Sequence, residues 1–591
     1  MSNTTSKKTG NTELRLVAYH NCDDVELFWR VAVNGQADAS IPAVLGFMLE
    51  RQRKVAGGAW GGTEVIRNRV GFTEDPAVAP DENDGGPSKP SNVWPFQCYD
   101  WTDHGANNGQ TVRYRVSAMR LPAGGTVGET ALESVADSGW TEAIAVDAAA
   151  SPTLSAYFNR GMVMSQYVAR IARLNGWSLT EIKNHIKELE EPLRRFLSGD
   201  LRQALLRLLD EVIDDPALEF YAALYELSDD ELIGRLKLLR GRAHIVLSNG
   251  SDKNGDGNQD ARTQLEDADV DVHDRLLASK GLGHNKFAIV VRRKNRIPLR
   301  AWTGSTNWAP TGLCTQLNNG IQFDDAAIGG LFLDQWDRLK DAGSSFPSAL
   351  VQANAQSPRR EKNVEVWFTR VRNKSTKNVG LGADLQALVD LVEGAKHAIL
   401  YVMFQPGPQP LTSILQQASQ RYVRGVVSTV IGSNVEAFKL AGIPDKEYHT
   451  ALVQPEGIGK SFAWWVKEVT RAQFLFPSQH PGIGHAITHA KMIVIDPLSD
   501  DNVVITGSHN FSGSASEEND DNFVVVTGNR ALAEAYTVAC LSTYRHYRWR
   551  AYVKDMVEQG KNPWDHLSTS PGWQAEYLTP ARRAHLSMWC P

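Results

Sequence analysis

Thr488-His489-Ala490-Lys491-Met492-Ile493-Val494-Ile495-Asp496, followed by Thr506-Gly507-Ser508-His509-Asn510-Phe511, has a near copy about 205 residues earlier. There the chain reads Gly283-His284-Asn285-Lys286-Phe287-Ala288-Ile289-Val290-Val291, then Thr303-Gly304-Ser305-Thr306-Asn307-Trp308. A repeat of this kind constrains architecture more than propensity does, and two copies of one half-site predict two similar lobes around one shared site. Each His-x-Lys opens an apolar, β-branched run that reads as a strand, and a period of two places His and Lys on the same face.

The duplication extends beyond the motifs. Tyr157-Phe158-Asn159-Arg160 answers Trp367-Phe368-Thr369-Arg370, and Asp200-Leu201 with Ala204-Leu205 answers Asp384-Leu385 with Ala387-Leu388, each pair opening an amphipathic helix. The apolar run 220–227 is aligned with 397–404, both expected as buried central strands, and a further strand follows at 243–248 and at 426–431. Strand, helix, strand, catalytic strand and closing helix describe an α/β sandwich in each half. The expected fold is therefore α/β, with two tandem sandwich lobes forming one bilobal body. The first lobe is placed at 152–345 with a helical insertion at 165–198, and the second at 361–556, joined by a connection at 346–360. On the insertion, Lys183, Lys187, Arg194 and Arg195 read as a solvated charged face.

Ahead of the lobes, residues 13–147 alternate short β-type runs (13–19, 25–32, 41–50, 63–70, 111–121 and 140–146) with turn-rich spacers, the pattern of an antiparallel all-β sandwich. The strand around Tyr114, after the Asn-Asn-Gly turn, resembles the penultimate strand of a fibronectin type III or immunoglobulin-like domain, with Tyr114 as corner tyrosine. Such a domain offers a docking module for a protein partner or a spacer, since a fold by itself names no partner. Residues 1–12 are expected to be disordered, 75–90 to form a long loop, and 557–591 to be a C-terminal extension.

At 591 residues the chain is long enough for several cores. Its net charge of -6 gives no global attraction to nucleic acid or anionic lipid, although a local basic groove is compatible with it. Five scattered cysteines, Cys22, Cys98, Cys314, Cys540 and Cys590, indicate neither a disulfide framework nor a Cys-x-x-Cys metal site, and fit a reducing compartment. With a polar N-terminus and no apolar run approaching the ~20 residues of a membrane span, the expectation is a cytoplasmic protein, or one exported without a cleavable signal.

Two His-x-Lys strands, each followed by Gly-Ser-x-Asn, resemble the phospholipase D superfamily, which includes phospholipases, transphosphatidylases, lipid synthases and nucleases; the likeness covers residues 152–556. It implies a phosphodiesterase in which one imidazole attacks phosphorus and the other, protonated, donates to the departing oxygen. Lys286, Lys491, Ser305, Ser508, Asn307 and Asn510 are then the groups that hold the charge gathering on the non-bridging oxygens, and no metal is required. Asp496 completes the family pattern in the second copy, whereas Val291 stands in its place in the first. Aligning Asn510 with Asn307 pairs Asp521 with Asn318, and a carboxylate at 521 can orient an imidazole and stabilise its charged form. The sequence assigns the nucleophile to the His284 and His489 pair without choosing between them.

The resemblance leaves two substrates: a glycerophospholipid at a membrane surface, hydrolysed or transferred, or, as the alternative, DNA or RNA cut by the same chemistry. The acidic balance favours the lipid modestly, because non-specific nucleic-acid binding draws on Lys and Arg. A binding-only member is the third class, and retention of both histidines and both lysines argues against it. No cofactor is expected. Asp252, Asn254, Asp256 and Asp260 mimic the start of a calcium loop, yet Thr263 stands where the bidentate Glu belongs, so a polar turn is the reading taken and calcium the one metal candidate. Trp464, Trp465, Phe474 and Phe476, just ahead of His489, are candidates to touch an acyl chain or a base, with core packing the more usual role of the Trp464-Trp465 pair, and His480 and His485 are placed by position near the mouth of the site. The run 544–550 is basic and aromatic, and reads as a solvated final helix rather than a nucleic-acid or lipid surface.

Overall fold

The apolar run after each His-x-Lys does become a central strand, because its alternate residues have two different cores to fill. In Lys286–Arg292, Phe287, Ile289 and Val291 enter one hydrophobic cluster while Ala288 and Val290 enter another on the opposite face. In Met492–Ile495, Met492 and Val494 share the first of these clusters, and Ile493 and Ile495 face a third. Strands buried on both faces need this uninterrupted apolar composition. The computed structural model describes residues 3–72, 88–161, 175–177, 181, 184–251, 255–277, 281–427, 488–558 and 566–591.

The first lobe is an eight-stranded sheet in the order Ala149–Ser151, Leu154–Phe158, Asn319–Phe323, Ile297–Gly304, Lys286–Arg292, Leu218–Leu224, Ala243–Ser248 and Asp271–Arg275. The second is a seven-stranded sheet in the matching order Arg359–Glu361, Val364–Phe368, Asn522–Thr527, Val503–Gly507, Met492–Ile495, Ala398–Met403 and Tyr422–Val427. In both, the strand that follows His-x-Lys runs antiparallel to its neighbours, and the central strand beside it pairs in parallel with the next. Register corrects one expected alignment: Leu224 faces Lys286 while Val402 faces Met492, so Tyr225 corresponds to Phe404 and Glu226 to Gln405, two places away from the pairing expected from sequence.

The inner faces of the two sheets, with helices Ala326–Ala342 and Arg530–Glu558, contribute to one shared core. Helix Ala326–Ala342 starts where the Asp325 carboxylate accepts from the amides of Ala327 and Ile328, and it buries Ile328, Phe332, Leu333, Trp336 and Leu339, each worth roughly 1.5–3 kcal/mol for a fully buried large apolar side chain. On the outer faces lie helices Pro192–Asp214 and Asp230–Leu239 in the first lobe and Ala383–Glu393 and Pro408–Gln417 in the second.

The N-terminal region is all β: one sheet joins Asn3–Thr9, Thr12–His20, Val25–Val33, Gln36–Ala37 and Asp100–Asp103, and another joins Glu133–Asp137, Thr111–Arg120, Val44–Arg53, Glu64–Val65 and Ile144–Ala145. The N-terminus is thus not disordered from residue 3 onward, because Asn3–Thr9 pairs along its whole length with Thr12–His20. Tyr114 is buried, but its hydroxyl donates to the Asp103 carboxylate at 2.7 Å, a side-chain partner rather than a backbone one. The end of the chain is no loose extension either. Trp573, Leu578 and Leu586 enter the sandwich core, Trp573 Nε1 donates to Val44 O at 3.1 Å, and Gln574 exchanges two hydrogen bonds with the Ile41 backbone.

Two charged runs expected on solvated faces are partly interior. Arg194 is fully buried and donates to Asp229 and Glu231, both at 2.9 Å. Tyr544 and Tyr547 are buried, and Arg545 pairs with buried Glu26 and with Asp100, tying the last long helix to the N-terminal sandwich. Among the described residues no helix is long and apolar enough to cross a membrane.

Candidate active site

The loop entering each catalytic strand crosses to the other lobe. Gly283 bridges to Asp520 and Leu317 bridges to Thr488. His284 N donates to Asp520 O at 2.8 Å, and His489 N donates to Leu317 O at 2.9 Å. Each histidine therefore precedes its strand and is fixed by backbone from the opposite lobe, which leaves the rings 4% and 5% exposed. The second lobe's strand begins at Met492, one residue after Lys491, whereas Lys286 opens its own.

Side chains repeat the exchange. His284 Nδ1 lies 2.7 Å from Asp521 Oδ1, and His489 Nδ1 lies 2.9 Å from Asn318 Oδ1. A carboxylate only accepts, so His284 carries its proton on Nδ1 and presents Nε2 as the lone pair. Asn318 Nδ2 donates to Gly312 O at 2.8 Å, which turns the amide oxygen towards His489 and sets the same tautomer there. Ser508 Oγ donates to Asp521 Oδ1 and Ser305 Oγ to Asn318 Oδ1, both at 2.7 Å. The two Gly-Ser-x-Asn serines thus brace the groups that orient the imidazoles. One shell further out, Thr303 Oγ1 donates to Asn522 Oδ1 at 2.5 Å, while Asn319 Nδ2 donates to Thr506 Oγ1 at 2.7 Å, again across the lobes.

Each lysine folds back on its own histidine: Lys286 Nζ donates to His284 O at 2.8 Å, and Lys491 Nζ to His489 O at 2.6 Å. Each also stands over an aromatic ring, Lys286 over Tyr225 at 4.8 Å and Lys491 over Phe404 at 5.0 Å. The same two rings pack against His284 and His489, at 4.7 and 4.9 Å. Tyr225 and Phe404 end the central strands, where an aromatic at equivalent positions was a legible signal once register was known. Sequence reasoning missed them.

It also missed Glu226. This half-buried carboxylate accepts from Asn307 Nδ2 at 2.6 Å, and its charge acts on both Lys286 and Lys491. The second lobe has Gln405 in its place. Asn307 Oδ1 and Asn510 Oδ1 are buried without hydrogen-bond partners among the described residues.

Burial sets the charges. It pulls His284 down to about 4, assisted by Lys286 and opposed by Asp521, and pulls His489 well below its ordinary value. Burial takes Lys286 down to about 7 against the pull of Asp521 and Glu226, and takes Lys491 well below its ordinary value, with Lys286 repelling it. Burial by itself would raise the Asp521 carboxyl; His284 and the other cations facing it hold it at about 2. Two imidazoles and two ammonium groups in one interior make a site that gains from an incoming anion.

Asp496 does not join this set. At a φ of 48° it turns its carboxylate onto the backbone amides of Lys396, His397 and Ala398, at 2.8, 2.6 and 2.8 Å, and so fixes the start of the neighbouring strand. Val291 spares the first lobe that cap. Of the calcium-loop candidates, Asp252 and Asn254 lie outside the described residues; Asp256 pairs with Arg262 at 2.8 Å and Asp260 sits in the first turn of Gln259–Glu266. Trp464, Trp465, Phe474, Phe476, His480 and His485 likewise lie outside the described residues.

No curated protein sequence matches the chain. Solved structures similar to it include phosphatidylserine synthase from Haemophilus influenzae, at 12% identity over 60% of this chain and 90% of that one, with a TM-score of 0.36. Yeast tyrosyl-DNA phosphodiesterase matches at 12% identity, over 54% and 84%, with a TM-score of 0.27. Nuc of Salmonella typhimurium matches at 15% identity, over 24% and 89%, with a TM-score of 0.20. Residues 388–539, most of the second lobe, match the family model described as cardiolipin synthase, PLD-like domain, which supports the phospholipase D superfamily that the paired motifs resemble.

Proposed function

We propose that this chain is a phosphodiesterase of the phospholipase D type that hydrolyses, or transfers, the phosphodiester of a glycerophospholipid through a phospho-histidine. The observation that carries the reading is the reciprocal clamp, in which His284 is held by Asp521 of the other lobe and His489 by Asn318 of the other lobe.

The clamp also divides the labour. An imidazole that bonds to phosphorus through Nε2 becomes cationic, and a buried carboxylate on its Nδ1 stabilises that cation; this role suits His284. An imidazolium held by a neutral amide gives up its proton more readily, which suits His489 as the acid. In the forward step, with His489 protonated as the phosphodiester anion enters, the His284 Nε2 lone pair forms the P–N bond, the P–O bond to the leaving group breaks, and His489 protonates the departing alkoxide. Water or an alcohol, deprotonated by the now neutral His489, then forms the new P–O bond while the P–N bond breaks. Lys286 and Lys491 supply positive charge to the non-bridging oxygens throughout.

The mildly acidic chain and the family description of residues 388–539 favour a lipid over a polynucleotide. The purified protein, in chelator, is incubated with phospholipid vesicles or with plasmid. Release of headgroup with the plasmid left intact is the expected result, and nicking of the plasmid with untouched lipid overturns the substrate assignment. His284→Ala and His489→Ala are expected to lose turnover while keeping the wild-type melting temperature, and full activity in either removes the shared-site mechanism.

A further inference from the structure

Where the N-terminal sandwich meets the first lobe, Cys22 Sγ, a carboxylate oxygen of Asp23 and one of Asp200 lie within 4.8 Å of one another. Cys22 is fully buried and Asp23 is 4% exposed. Arg160 Nη2 donates to Asp23 Oδ1 at 2.6 Å, but Asp23 Oδ2 is buried with no hydrogen-bond partner among the described residues. Asp200 receives Asn108 Nδ2 at 3.0 Å on Oδ1 and is otherwise turned to the cluster. The two chain segments come this close because Gly199, at a φ of 51°, kinks helix Pro192–Asp214 just before Asp200. A Cβ on Gly199 would stand 3.2 Å from Asp23 Oδ2.

A buried carboxylate oxygen left without a donor is costly in an apolar interior. Something must answer it, and the surroundings supply little. Arg160 is engaged on Asp23 Oδ1 and Asp24 is matched separately by His104 at 2.7 Å, so neither of these cations answers Asp23 Oδ2. A cleft lined by Asn21, Asp23, Arg160, Leu317 and Ser542 opens at the Asp23 side of the cluster.

We infer that Cys22 Sγ, Asp23 Oδ2 and the Asp200 carboxylate form a site for a divalent cation of borderline softness, of the zinc class. One thiolate and two carboxylates, with water in the fourth position, is a tetrahedral donor set suited to such an ion rather than to calcium or magnesium, which prefer oxygen alone. Binding releases to solvent the Cys22 proton and the proton Asp23 holds before the ion enters, and the dication with Arg160 then balances the thiolate and the two carboxylates. The ion joins a turn of the sandwich to the first lobe. It does so beside Asn159, whose side-chain oxygen accepts from Asn318 N at 2.8 Å, so the site braces the segment that orients His489.

The test uses the full-length protein, stripped with chelator, dialysed and titrated with zinc, with magnesium and calcium as comparators. Zinc is expected to bind at one equivalent, release protons and raise the melting temperature, where magnesium and calcium do not; cobalt is expected to give a thiolate charge-transfer band. Asp200→Asn, at a partly exposed position that tolerates the change, is expected to weaken zinc by roughly tenfold or more, and Cys22→Ser to lose the cobalt band. His284→Ala is expected to bind zinc as the wild type does, which separates this site from the imidazole pair. Absence of stoichiometric binding, or zinc affinity unchanged by Asp200→Asn, overturns the inference and leaves Asp23 as a carboxylic acid that simply keeps its proton.

Discussion

Replacing Asp521 by Asn removes one negative charge and, beside it, only the long 3.4 Å hydrogen bond that Asn519 Nδ2 donates to Oδ2. Asp521 Oδ1 accepts from both Ser508 Oγ and His284 Nδ1, at 2.7 Å each, and an amide oxygen can accept both, as Asn318 Oδ1 already does from Ser305 and His489. The variant thus turns the first half-site into a copy of the second. What is lost is the attraction between the carboxylate and the imidazolium that forms on phosphorylation. At a charge separation of about 4–5 Å and an effective dielectric near 20, that attraction is worth roughly 4 kcal/mol. The amide dipole retains about 1 kcal/mol of it as a neutral hydrogen bond. A net loss of roughly 2–3 kcal/mol corresponds to a fall of about 30- to 150-fold in the rate of phospho-histidine formation. Rapid-quench single-turnover measurements on a chromogenic phosphodiester read that step directly, and the melting temperature checks that the fold is kept. The companion Asn318→Asp gives His489 a carboxylate, making it a weaker acid, so it is expected to slow release of a poor leaving group more than of a good one. A loss of less than threefold in Asp521→Asn, or equal leaving-group dependence in both variants, would refute the division of roles between the two histidines.

Glu226→Gln keeps the hydrogen bond from Asn307 but removes the carboxylate acting on both lysines, so the lysines release their protons more easily and the alkaline limb of the pH–rate profile moves to lower pH; a profile that stays in place sinks that role. With Lys286 pulled down to about 7 in the free protein, an anion entering the site drives its protonation. Calorimetry of inorganic phosphate binding near pH 8, in buffers of different ionisation enthalpy, should show proton uptake, and proton release would contradict the charge assignment. Arg545→Met leaves Glu26, which is fully buried, without its partner, and is expected to cost roughly 3–5 kcal/mol by denaturant midpoint; a change under ~1 kcal/mol would mean the ion pair does not tie helix to sandwich.

The paired motifs were legible because each leads into a strand buried on both faces, where local sequence dictates conformation. The duplication likewise exposed Asp521 and Asn318 as counterparts before any geometry was known. Central-strand register was not legible: runs such as 397–404 are apolar throughout, so nothing in them marks which residue lies opposite Lys491, and the two-place error hid Tyr225, Phe404 and Glu226. Burial of charge was misread for a related reason. Arg194 and Arg545 look like surface residues in a linear pattern, and become interior only because Asp229, Glu231, Glu26 and Asp100 arrive from distant segments. The polar strand Asn3–Thr9 owes its order to hydrogen bonds with its neighbour, which composition does not report.

The departures from symmetry bear on mechanism more than the symmetry does. Two identical half-sites would present two equivalent imidazoles to one phosphorus, and nothing would decide which attacks. The fold keeps the frame identical, with crossed backbone bonds at Asp520 and Leu317 and crossed threonine–asparagine pairs at Thr303 and Thr506. It changes the chemistry at three positions. Asp521 against Asn318 gives one imidazole a counter-ion, and Glu226 against Gln405 sets a second negative charge on the same lobe as His284. Asp496 against Val291 moves a strand cap to the second lobe alone, away from the reacting groups. Both carboxylates near the rings therefore act where positive charge has to accumulate, around His284 and the two lysines, while His489 keeps a neutral partner. A duplicated lobe needs only such single-residue changes to become a nucleophile half and an acid half, because the shared frame already holds both rings in place.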